Sequence, residues 1–329
     1  MKQRDTLYLS FDPGGHLCIK ARPRSVFTKQ TKTISLANPR MNFLSCCFRA
    51  RSLSGERKAE KKLNEAVGVF QKYKFTSVIG TGGCAEVWSA VDKKTGEVVA
   101  VKMANVGKAA DFMANEFYMM RKIESPYVLR PEAFMDTKKA SFMVMKKYGG
   151  SLFDLIETGP ILGGELKHVV RQIATGLKAI HDADYVHRDI KPENILIDEH
   201  GDFVIADFGL AEDEYCMTVR SVVGTGSYIA PEVVEGVLRP ERAMLTVGKP
   251  IDVYALGQVI YSCITQANAI PQSSNTNEII RNNLRFDMTP FIDELDIRTD
   301  LKDLLRGMTD QSPVSRLTID EVLAHRFLI

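Results

Sequence analysis

The rhythm of apolar residues in this chain changes at a glycine pair, Gly149-Gly150, and that change restricts the fold more than any other feature. Upstream, Tyr73 to Gly80 and Glu86 to Val91 alternate as strands do, around a glycine turn. Lys94-Thr-Gly-Glu97 has the composition of a hairpin turn and leads into the apolar strand Val98-Val-Ala-Val-Lys102. Asp111 to Ile123 carries helical spacing, with Phe112, Glu116, Met119, Met120 and Ile123 shared between two faces, and Tyr127 to Met145 is predicted to form two further strands. Downstream the pattern is helical over Leu166 to Ala183, Pro250 to Gln266, Leu301 to Met308 and Ile319 to His325. The expectation is an α+β fold in two lobes: a small β-rich N-lobe over about 73–148 with one helix, and a larger, mainly α-helical C-lobe over about 149–329.

Residues 1–70 lack such a rhythm. They scatter Pro, Gly, Ser and Thr among basic residues such as Arg22, Arg24 and Lys29, and are expected to be disordered, with one short charged helix over Gly55 to Val67. Met1 to Ala66 holds 14 Lys+Arg against 5 Asp+Glu, about +9; the whole chain is +2, which leaves the folded part near −7. A basic arm thus precedes a mildly acidic body, and no nucleic-acid partner is expected. The six cysteines, Cys18, Cys46, Cys47, Cys84, Cys216 and Cys263, form no C-x-x-C pair and read as reduced thiols. With no apolar run of spanning length and no signal pattern, a cytoplasmic location is expected. Cys46-Cys47 beside Arg49 and Arg51 resembles a lipidation site that would favour membranes, but incidental cysteines in a disordered arm are the preferred reading.

Three constellations carry chemistry. Gly80-Thr81-Gly82-Gly83-Cys-Ala85-Glu-Val87 lies between two strands, where missing Cβ atoms let backbone N–H groups approach phosphates. Lys102 ends a buried strand and needs an anion, for which Glu116 on the next helix is the natural candidate. The third is His187-Arg-Asp189-Ile-Lys191-Pro-Glu193-Asn194, followed by Asp207-Phe-Gly209. Asp189 can accept a hydroxyl proton, Lys191 can neutralise a phosphoryl oxygen, and Asn194 and Asp207 are hard oxygen ligands suited to Mg2+.

These motifs, in this order, with Ala230-Pro231-Glu232 and Arg316 behind them, resemble the eukaryotic protein kinase family of the serine/threonine type over nearly all of residues 73–329. The resemblance implies the bilobal protein kinase fold, and ATP and Mg2+ as reactants. It further implies that Gly80 to Val87 covers the triphosphate, that Lys102, held by Glu116, grips its phosphates, and that Asp207 and Asn194 hold the metal. Asp189 would orient the substrate hydroxyl, and Lys191 would steady the transferred group. Ile79, Thr81, Val87, Ala100, Met145, Lys147 and Leu196 fall at nucleotide-contacting positions, with Met145 as gatekeeper and Lys146-Lys147-Tyr148 as the hinge. Lys191 and Thr225 point to serine and threonine residues of proteins as acceptors.

Some positions depart from the family. Ala85 replaces a third glycine, Pro131 stands where an aliphatic residue is common, and Val237 to Gly248 looks inserted. Ser151, Ser227 and Ser262 replace acids, so strong selection for arginine in substrates is not expected. The resemblance also makes Ser221, with Thr218 as runner-up, a phosphosite whose phosphate would bridge Arg188 through the action of an upstream kinase. The competing reading is that Glu212, Asp213 and Glu214 already supply carboxylates to Arg188; their closeness to Asp207-Phe-Gly209 counts against it.

Overall fold

The computed structural model describes residues 7–11, 17–21, 68–81, 85–105, 107–137, 140–217, 224–238, 248–271 and 275–329. Cys46, Cys47, the Gly55 to Val67 stretch, Gly82, Gly83, Thr218, Ser221 and residues 239–247 of the apparent insertion lie outside them.

Within residues 1–70 the described segments include two strands that the sequence analysis does not anticipate. Strands β1 (Leu7–Phe11) and β2 (Leu17–Ala21) pair antiparallel, with Leu9 opposite Ile19. The missed signal is a short alternating run on either side of Pro13-Gly14-Gly15, diluted by the polar sequence around it. A helical turn, α1 (68–72), then brings Val69 into the core and sets the Phe70 ring 5.2 Å from Phe75 and 6.0 Å from Phe142.

Strands β3 (Tyr73–Thr81), β4 (Ala85–Asp92), β5 (Val98–Asn105), β6 (Ala133–Asp136) and β7 (Ala140–Lys146) form an antiparallel sheet in the order β3-β4-β5-β7-β6. Alternation along β5 assigns its faces. Val99 and Val101 pack with Tyr73, Phe142 and Val69, whereas Ala100 and Ala104 pack with Met113 and Met120 of helix α2 (Lys108–Lys122). Lys102 has the parity of Ala100 and Ala104, so its side chain leaves the sheet on the α2 side. Of the stretch expected to hold two strands, 127–132 is irregular. Pro126 and Pro131 remove ladder donors there, and the backbone instead reaches the larger lobe through Leu129 N–H to Ile205 O (2.8 Å) and Ile205 N–H to Tyr127 O (2.9 Å).

The larger lobe follows β8 (Gly150–Ser151). It contains α3 (Leu152–Thr158), α4 (Gly163–Asp182), β9 (Tyr185–Val186), β10 (Ile195–Ile197), β11 (Phe203–Ile205), β12 (Glu212–Asp213), α5 (Pro231–Leu238) and α6 (Pro250–Thr265). Helices α7 (Thr276–Arg285), α8 (Thr289–Glu294), α9 (Thr299–Met308) and α10 (Ile319–Leu323) complete it. Ser151 starts α3 with a reciprocal capping box to Asp154. Helix α6 is buried without interruption from Ile251 to Ile264, as a helix apolar on every face must be. Gly257 lets it approach α9, since a Cβ there would sit 2.7 Å from Thr309 Cγ2.

Candidate active site

The two lobes meet around one ammonium group. Lys102 Nζ lies 2.8 and 2.9 Å from the Glu116 carboxylate oxygens and 2.8 Å from Asp207 Oδ1. Strand parity aims Lys102 at α2, and Glu116 occupies the α2 turn that faces it, between the buried Met113 and Met120. Burial alone would push the Lys102 ammonium down, but Asp207 and then Glu116 outweigh it and hold it above its ordinary value. The same ammonium keeps the Asp207 carboxyl well below the usual carboxylate range, although 51% of the Asp207 side chain is exposed to the cleft. Burial pushes Glu116 upward, and Lys102 opposes that shift. The lysine, glutamate and aspartate expected from sequence are thus brought together.

Below them, Asp189 is held on several sides. Its Oδ2 lies 2.8 Å from Lys191 Nζ and accepts from Asn194 Nδ2 at 3.0 Å. Its Oδ1 accepts from the backbone N–H (3.1 Å) and the hydroxyl (3.0 Å) of Thr225. That hydroxyl accepts in turn from Lys191 Nζ at 2.8 Å. Lys191 is almost fully buried, so its charge depends on these partners. Pro192–Asn194 forms a single 3-10 turn, and Asn194 N–H bonds to Lys191 O at 3.0 Å, which folds Asn194 back beneath Asp189.

Asp252 to Gly257 resembles in sequence the start of the family's buried central helix, and the Asp252 carboxylate, to which the sequence assigns no role, sets the loop's path. Asp252, in the first turn of α6, accepts the backbone N–H groups of His187 and Arg188 at 2.8 Å each and lies 3.0 Å from His181 Nε2. It thereby holds Arg188 at φ 69°, a conformation that side chains resist. Asp207 is likewise left-handed, at φ 62°. The signal available in the sequence was an acid at the head of an otherwise apolar helix, Pro250-Ile-Asp252-Val-Tyr254.

Of the remaining positions, Ala100 and Met145 are buried in one cluster, with Val87 and Leu196 packed against it. Ala100 is paired with Met145 across β5 and β7. Ile79 and Thr81 are exposed at the end of β3, where Gly80 lies opposite Val87 and Thr81 opposite Glu86 of β4. Lys147 is half-buried just past β7. Arg316, named with Glu232 among the family motifs, pairs with it.

Arg188 contacts Glu212 directly and is nearly buried. The sequence reading judged the acidic run too near Asp207-Phe-Gly209 for this, but β12 pairs antiparallel with β9 and places Glu212 opposite Val186. The chain doubles back, so closeness in sequence to one motif brings closeness in space to the other.

A family model described as "Protein kinase domain" matches residues 73–328. The chain is 30% identical to calcium/calmodulin-dependent protein kinase type 1 of Caenorhabditis elegans over 271 residues, covering 78% of this chain and 74% of that one. It is 31% identical to calcium/calmodulin-dependent protein kinase type I of Schizosaccharomyces pombe over 272 residues, covering 78% of each. It is 29% identical to calcium/calmodulin-dependent protein kinase type 1B of Rattus norvegicus over 268 residues, covering 78% and 75%. Among the described residues no helix is long and apolar enough to cross a membrane.

Proposed function

Because this chain belongs to the protein kinase family, we propose that it transfers the γ-phosphoryl group of ATP to serine and threonine hydroxyls of proteins, with residues 71–329 as the catalytic domain. The observation that carries this reading is the mutual contact of Asp189, Lys191 and Thr225, together with the contact of Lys102 with Glu116 and Asp207.

The donor set fits the reactants. Asn194 spends its amide nitrogen on Asp189, leaving its oxygen for a cation, and Asp207 is kept anionic; these two hard oxygen ligands suit Mg2+. When bound there, Mg2+ would neutralise charge on the transferring phosphoryl group. Lys102 would exchange its contact with Asp207 for the nucleotide's phosphates while Glu116 keeps it in place. Gly80, Gly82 and Gly83 would cover the triphosphate. Ile79, Val87, Ala100, Met145 and Leu196 would enclose the base against the backbone of Lys147. Asp189, fixed by Asn194 and Thr225, accepts the proton of the attacking hydroxyl, and Lys191 offsets charge gathering on the transferred group.

The test is transfer of labelled phosphate from ATP to a generic basic protein by the purified full chain. Phosphoserine and phosphothreonine in the product, and their loss in Asp189→Asn, are expected. No transfer by the parent protein, or predominant phosphotyrosine, overturns the reading.

A further inference from the structure

Arg188 precedes the proposed base Asp189 and is about nine-tenths buried, so its guanidinium needs a counter-charge to be tolerated. Glu212 supplies one in direct contact. The contact belongs to a fixed arrangement. Glu212 and Asp213 pair with Val186 and Tyr185, and Glu214 N–H bonds to Asp184 O at 2.9 Å. Lys249, one residue before α6, clasps Glu214 at 2.8 Å and Asp184 at 3.1 Å. Two ion pairs and a two-stranded ribbon therefore anchor residues 212–214 to the loop that carries Asp189. A phosphate would bring about −1.5 to −2 charge toward a cation already neutralised and beside three consecutive acids. Arg188 then gains little from a new anion.

We propose that Glu212 is the built-in counter-charge of Arg188, and that phosphotransfer by this chain therefore runs without phosphorylation of the segment between Asp207 and Glu232. The proposal rests on the kinase reading above. Glu212 is a positioning residue: it acts on the reaction through Arg188 and the adjoining Asp189.

The experiment compares the untreated full chain with chain stripped of phosphate by phosphatase and verified by mass. The stripped protein, and the Thr218→Ala Ser221→Ala double variant, are expected to keep the parent kcat. Glu212→Gln should lower kcat about tenfold or more, as loss of a bond to a charged group does. KM for ATP and the thermal midpoint should stay near the parent's, and Glu212→Asp should recover most of the rate. Hydrogen exchange over residues 210–217 of the stripped proteins provides a readout that needs no transfer. It should be slow in the parent and in Glu212→Asp, and about tenfold faster in Glu212→Gln. Loss of activity on stripping with recovery on rephosphorylation, or a Glu212→Gln variant equal to the parent in rate and exchange, overturns the proposal. A parent that transfers nothing under any condition refutes the kinase reading instead, and the exchange comparison still decides whether Glu212 holds the segment.

Discussion

Arg316 meets Glu232 through two parallel contacts, Nη1 to Oε1 at 2.5 Å and Nη2 to Oε2 at 3.0 Å, with both side chains almost completely out of solvent. The guanidinium also donates to Pro250 O and Asp310 O at 2.9 Å each and lies over the Tyr254 ring. One cation thus joins the start of α5, the start of α6 and the turn after α9. Removing one partner strands the other as a buried charge, so Arg316→Met should cost about 3–5 kcal/mol. Urea midpoints of Arg316→Met, Glu232→Gln and the double variant check this, and the double change should cost less than the sum of the two.

Asp252 ties stability to pH. Burial alone would raise its carboxyl pKa, but His181 and the loop amides it accepts hold it below its ordinary value. A folded-state pKa below the unfolded one stabilises the protein above the unfolded value, near 3.9, and that contribution is lost as pH falls through the folded value. Unfolding free energy should therefore drop below about pH 4, and less steeply in Asp252→Asn. At neutral pH that variant should itself lose about 3–5 kcal/mol, since it weakens a buried charge network.

Asp207→Asn separates chemistry from folding. The carboxylate is half exposed to the cleft, so its loss should leave the thermal midpoint close to the parent value. Transfer should fall by roughly 10²–10³, the usual cost of one preorganised charge-stabilising group. Calorimetric titration with the magnesium nucleotide should show weakened, metal-independent binding.

Thr225 links Lys191 to Asp189 through one hydroxyl. Thr225→Ala removes bonds to charged groups worth about 1.5–3 kcal/mol, so kcat should fall by roughly 10- to 100-fold. KM for ATP should hardly change, because Lys102, Ala100 and Met145 lie on other elements. Thr225→Ser should recover most of the rate. Steady-state kinetics on the three proteins decide the point.

Much of this arrangement was legible in the sequence because local pattern and chemistry agree. Lys102 ends a buried apolar strand and so needs an anion, for which Glu116 on the next helix is the candidate, and Asp189, Lys191 and Asn194 lie within six residues, where spacing fixes their neighbourhood. What escaped depends on contacts between distant segments. Asp252 acts 63 residues from Asp189, across α6, and nothing local reveals that its carboxylate receives loop amides. Glu212 is a visible candidate partner for Arg188, but its linear distance argues against the contact, and only a two-residue ribbon overrides that. The hairpin at Leu7–Phe11 and Leu17–Ala21 was passed over because its polar surroundings dominated the reading. Helices α3, α5, α7 and α8 are also absent from the sequence expectation.

Helix α6 also dictates when the larger lobe can form during synthesis. Fourteen successive residues of it are buried, and part of what covers them is α9, whose Leu301, Leu304, Leu305 and Met308 emerge some forty residues later. Arg316 must then arrive before Glu232 is neutralised, and Arg171 in α4 bonds to the backbone oxygen of Leu328. A nascent chain that has passed α6 but not yet α9 therefore carries a partly uncovered apolar helix, the kind of surface that aggregates or is held by chaperones. The β-rich lobe, closed by residue 146, has no such wait. The two halves of the cleft thus mature at different times, and the catalytic loop, suspended from Asp252, comes with the later one.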